Sequence, residues 1–86
     1  MEIICNNIKL AREQRRFTQQ HMASVLEVSQ STYSRIESGL VDLRLSTLRQ
    51  IATAVNVPFA LLISTDQDAV RRHIRARRAV RVLVAA

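Results

Sequence analysis

The sequence predicts an all-α fold, and three observations carry that expectation. The 86 residues include one Gly and one Pro, so the punctuation that separates short strands is scarce. Apolar residues recur at helical spacing over most of the chain. Thr18 and Ser29 each stand just before such a run, where a side-chain oxygen can close the N-terminus of a helix. A chain of this length holds one small domain. Such a domain buries about 60% of its unfolded surface, so association with a second copy would add stability.

Taken in order, Asn6 or Asn7 is expected to cap a first helix that turns Ile8, Leu10 and Ala11 inward, with Phe17 closing the core behind it. Thr18 opens a second helix in which Met22, Ala23 and Leu26 share a face and Val25 lies beside it. Ser29 opens a third. Tyr33 and Ile36 are its only large apolar residues, which gives one narrow buried stripe and a wide polar surface. Pro58 suits the first position of a later helix, where its missing amide costs nothing. Phe59, Leu61, Leu62 and Ile63 follow with almost no polar relief. They serve the core, or part of the cluster forms a seam with a second subunit, and the two uses weigh about equally.

The polar surface of the third helix carries Gln30, Ser31, Ser34 and Arg35. These side chains suit base edges: Gln pairs bidentately with adenine, Arg with guanine, and Ser with a donor or an acceptor. Most polar helix faces simply meet water. The order of cap, apolar position, tight turn and second cap tips the balance toward a helix placed in the major groove of DNA.

Residues Ile8 to Ile63 resemble the Cro and phage-repressor type of helix-turn-helix regulators, the XRE family. The likeness rests on small Ala23 where two helices touch, on the Ser29-Gln30-Ser31-Thr32 opening, and on Arg35-Ile36-Glu37-Ser38-Gly39. It extends through Ser46 to Phe59, which looks like the family's fourth helix and the start of its fifth. The resemblance implies a five-helix lambda-repressor-like DNA-binding domain over residues 1–63, followed by an Arg-rich C-terminal extension over 64–86. It also implies that Arg12 and Glu37 form a buried ion pair of structural importance. Two departures stand out. Glu27 occupies the place of the usual turn glycine, which puts a side chain where the backbone favours none. The loop Leu40-Val41-Asp42-Leu43-Arg44 is more apolar than a phosphate-gripping loop, leaving Arg44 as its one good phosphate ligand.

The net charge of +6 is unevenly placed. Residues 1–65 hold seven Lys or Arg against five Asp or Glu, a balance of +2; residues 66–86 hold six Arg against two Asp, a balance of +4. An anionic partner follows from the total, but the recognition unit is only mildly basic. Its expected phosphate contacts are Gln19, Arg15, Arg16 and Arg44, with Lys9 as a further cation.

In the extension, Ser64, Thr65 or Asp66 can cap a helix carrying Ala69, Val70, Ile74, Ala76 and Val80, with Arg71, Arg75 and Arg78 on another face. Ala69, His73, Ala76, Val80 and Leu83 recur at coiled-coil spacing, while Val80, Val82 and Val84 alternate as in a strand. Helix and strand both fit. The segment is open to three uses, as a dimerisation element, a second DNA-contacting arm or a handle for another protein, against a solvated end. Expected dimer contacts are Phe59, Leu62, Ile63, Val80 and Leu83.

Catalysis has little support. His21, His73 and Cys5 lack metal-ligand spacing, and no phosphate-cradling glycine loop or nucleophile elbow is present. No metal and no cofactor is implied. A single cysteine cannot form an internal disulfide, and with no signal peptide or membrane-length apolar run in view a cytoplasmic protein without membrane contact is expected. The expectation is a homodimeric, sequence-specific double-stranded DNA-binding repressor that reads an inverted repeat. The alternative is an antitoxin whose extension binds a partner protein.

Overall fold

The computed structural model describes residues 2–66 and 68–76, and these residues are helical without a strand. Five helices are α1 (Glu2–Gln14), α2 (Gln19–Leu26), α3 (Gln30–Glu37), α4 (Leu45–Val55) and α5 (Phe59–Leu62). A sixth, α6, covers residues 68–76. Within the α2–α3 pair, α3 packs on α1 and α2 on α4, α1 and α4 also touch, and α5 closes against both. Ile8 and Ala11 of α1, Met22 and Ala23 of α2, Tyr33 and Ile36 of α3, and Ile51 and Val55 of α4 meet in one core.

Helix α1 starts four to five residues earlier than the expected cap at Asn6 or Asn7. Asn7 sits inside the helix, fully buried, and donates through Nδ2 to the carbonyls of Leu62 at 2.8 Å and Ser64 at 2.6 Å. Its amide therefore satisfies the end of α5 rather than the start of α1. A local cap signal lost to a tertiary contact more than fifty residues away along the chain.

Helices α1 to α4 all end the same way. A residue one or two positions past each helix adopts positive φ: Arg16 at 60°, Glu27 at 58°, Gly39 at 74° and Asn56 at 55°. In each case the next amide reaches back to a carbonyl five residues earlier, as from Val28 to Ala23 and from Leu40 to Arg35, both at 3.0 Å. This closing motif supplies partners for carbonyls that the helix itself leaves bare. Only Gly39 is free of the steric cost of that conformation. Arg16 and Glu27 carry it, at about 1–2 kcal/mol each.

Leu62 is completely buried, so it belongs to the core and drops out of the expected dimer seam. Phe59 is half-buried beneath the Arg49 guanidinium, 4.8 Å from the ring centroid, while Ile63 remains exposed. The first part of the extension joins the same core: Val70 and Ile74 of α6 are 0% and 1% exposed. Asp66 caps this helix, accepting from the amides of Asp68 at 3.0 Å and Ala69 at 3.3 Å. The expected contacts Val80 and Leu83, and the alternation that suited a strand, lie outside the described residues.

Candidate nucleic-acid interface

The interface is assembled from two short helices whose starts are fixed by hydroxyls. Thr18 Oγ1 accepts from the His21 amide at 2.9 Å, and Ser29 Oγ accepts from the Thr32 amide at 3.1 Å. Each contact supplies a partner to one of the bare amides of a first turn, and loss of such a cap costs about 1 kcal/mol. Between them the chain reverses at Glu27 and Val28. The left-handed residue there ends α2 and lets α3 leave across it.

Helix α3 then divides sharply. Tyr33 and Ile36 point into the core, whereas Gln30, Ser31 and Arg35 are exposed and Ser34 is half-buried. The Ser31 hydroxyl lies 3.2 Å from the capping Ser29 hydroxyl, and Ser29 also donates to Thr32 Oγ1 at 2.9 Å. The outward surface is thus short, polar and mostly uncharged. Such side chains add little field of their own, but they reach a base edge without bending.

The orientation of this unit against α1 depends on one guanidinium. Arg12 donates from Nε to Glu37 Oε2 at 2.6 Å, from Nη2 to Glu37 Oε1 at 3.2 Å, and from Nη1 to the Phe17 carbonyl at 2.8 Å. The two side chains are only 12% and 3% exposed. A single residue of α1 therefore ties together the α1–α2 turn and the far end of α3. Burial by itself would lower the pKa of Arg12, but the hydrogen bond and charge of Glu37 outweigh it and hold the guanidinium above its ordinary value. Tyr33 is buried nearby, and its hydroxyl finds no hydrogen-bond partner among the described residues. Burial first, and then the Glu37 carboxylate, push its pKa upward.

The expected phosphate ligands separate into distinct situations. Gln19 is half-buried at the start of α2, with Nε2 3.5 Å from Glu37 Oε1. Arg16 and Arg44 are exposed, Arg44 standing at the start of α4 without a side-chain cap bond. Arg15 has other duties. Its guanidinium donates to the carbonyls of Val55 at 2.8 Å and Asn56 at 3.0 Å, bracing the end of α4 against the end of α1. Nothing in the local sequence announces that brace, because its partners are backbone atoms forty residues away. The loop after α3 half-buries Val41 and Leu43 against the core, and leaves Leu40 75% exposed.

Two hydroxyl-capped short helices, a left-handed turn and a polar outer face on the second helix are the geometry of a helix-turn-helix. A family model described as Helix-turn-helix matches residues 8–62. The chain belongs to this family, the XRE/Cro-type DNA-binding domains. Comparison with curated proteins and with solved structures gave no match. As a helix-turn-helix protein of this type, the chain is a DNA-binding transcriptional regulator. The matched span runs from Ile8, in the buried face of α1, to the last residue of α5, so it covers the helices that aim α3. The family's function is regulatory DNA binding rather than catalysis. Among the described residues no group of His, Cys, Asp and Glu could hold a metal ion, and no helix is long and apolar enough to cross a membrane.

Proposed function

We propose that the protein is a homodimeric repressor that places α3 of each subunit in the major groove at the two halves of an inverted repeat. Gln30, Ser31, Ser34 and Arg35 read bases in this arrangement, with half-sites about 34–36 Å apart, one helical turn of DNA. The observation that carries the reading is the division of α3: two apolar side chains fix it to the core, and every remaining outward position is a hydrogen-bonding residue. Gln19, Arg16 and Arg44 set the register on phosphates, and Arg15 contributes by bracing α4 against α1. The small size of the domain and the exposed Ile3 and Ile63 favour a second subunit. Repression follows from occupancy, since a bound dimer blocks access to the promoter it covers.

Selection from a random duplex pool at about 0.15 M salt tests this reading, because non-specific phosphate attraction is weak enough there to expose base preference. Enrichment of an inverted repeat is the expected outcome. Enrichment of a single half-site would remove the dimer, and no enrichment by folded protein would remove base reading altogether.

A further inference from the structure

Most of the chain's net positive charge, +4 of +6, lies outside the recognition unit, in residues 66–86, and the fold fixes where part of it goes. Helix α6 is not a loose appendage: Val70 and Ile74 anchor it in the core. With 3.6 residues per turn, Arg71, Arg72 and Arg75 fall together on the face turned away from those anchors, and all three are exposed. Arg71 pairs with Asp68 at 3.3 Å and Arg72 with Asp66 at 3.2 Å, but these pairs stand in solvent and are readily exchanged. Arg75 makes no ion pair among the described residues.

The direction of α6 follows from its neighbours. Its start lies at the beginning of α1, where Ile3, Thr65, Asp66 and Asp68 line one hollow. Further along, His73 borders Asn56, Pro58 and Phe59. Asn56 is also where Arg15, near the end of α1, is fastened. Helix α6 therefore runs beside α1 in the same direction and heads for the end of α1 that carries Arg16 and leads into Gln19. Those two residues are among the proposed phosphate contacts of the recognition unit, the third being Arg44. Along this course Arg71, Arg72 and Arg75 stand exposed to solvent.

We propose that α6 is a second DNA-contacting element, in which Arg71, Arg72 and Arg75 lie along the phosphates flanking the half-site and supply affinity without base preference. This inference rests on the reading of α3 as the element in the groove. Arginines on a docked helix face suit phosphates as charge-assisted, bidentate donors, and an ion pair that exchanges a carboxylate for a phosphate keeps its hydrogen bonds. An acidic protein surface is the competing partner, and the salt dependence of DNA binding separates the two.

The dissociation constant for one duplex of fixed sequence is measured across about 0.05–0.2 M salt for the wild type, the triple variant R71A/R72A/R75A and the triple variant R71K/R72K/R75K. Each phosphate contact contributes about 0.9 to the slope of log affinity against log salt. The alanine variant should lose about 2 to 3 from that slope with its base preference unchanged, and the lysine variant should keep the wild-type slope. Arg75→Ala alone, which disturbs no ion pair among the described residues, should lose about 0.9 and serves if the triple variant melts early. A wild-type slope in the alanine variants overturns the proposal and turns the arginine face toward a protein partner. Failure of the α3 reading would look different, because wild-type protein would then show no base preference while its slope still reported the arginines.

Discussion

Helices α3 and α6 are built on the same plan and equipped for different work. Each is held by two buried apolar residues, Tyr33 and Ile36 in α3 and Val70 and Ile74 in α6, and each turns a polar face outward. On α3 that face is Gln, Ser, Ser and a single Arg; on α6 it is three arginines. Short amides and hydroxyls discriminate because each offers donors and acceptors at fixed positions, and they exert almost no force at a distance. Guanidinium groups act over about a Debye length and accept any phosphate. A buried stripe therefore decides only where a helix sits, and the chemistry of the opposite face decides what it can recognise.

The supports beneath the two helices differ more than the helices do. Helix α3 is held at its far end by the buried Arg12–Glu37 pair, whereas the ion pairs of α6 are exposed. Removing one member of a buried pair strands the other charge, so Glu37→Ala should destabilise the fold by about 3–5 kcal/mol. A thermal melt would register this as a large drop, at about 4–8 °C per kcal/mol for a domain of this size. An unchanged melt would make the two ends equivalent and break the comparison.

Next in size is the anchoring of α6. Ile74→Ala should cost about 2–5 kcal/mol if the helix shares the core of the other five. The loss should appear as a single transition at lower denaturant concentration. A wild-type midpoint, with local loss of helix only, would make α6 an independent appendage and leave its arginines without a fixed direction.

The smallest expected effect concerns the turn that joins α2 to α3. Glu27 holds a left-handed conformation with φ 58°, which glycine adopts without strain, although glycine loses more entropy on folding. Glu27→Gly should raise stability by up to about 1 kcal/mol while leaving DNA affinity intact. A gain in stability accompanied by weaker binding would show that the strained turn helps aim α3.

Much of the recognition unit was legible because its signals are local. Thr18 and Ser29 cap the helices they precede, the spacing of Tyr33 and Ile36 marks the buried stripe of α3, and the missing glycine at Glu27 shows as a positive φ. The start of α1 was not legible, since Asn7 resembles a cap and is instead held by carbonyls near the end of α5. Arg15 reads as a surface cation until α4 is packed against α1. Arg16 has no feature that announces a left-handed backbone. Leu62 and Ile63 are adjacent apolar residues with opposite fates, one buried and one exposed, and only the direction of α5 separates them. For α6, heptad spacing and alternation coexist in the sequence, and the docking of Val70 and Ile74 settles residues 68–76 as helix. Side chains that answer to their own turn can be read from sequence, and those that answer to another helix need the fold.

The most direct test of the central claim is the affinity of Gln30→Ala for the selected duplex and for its single-base variants. If α3 reads bases, the substitution should cost about 1–3 kcal/mol on the preferred sequence and flatten the preference at one base pair per half-site. An equal loss on every sequence would make Gln30 a backbone contact and contradict the assignment of α3 as the reading helix.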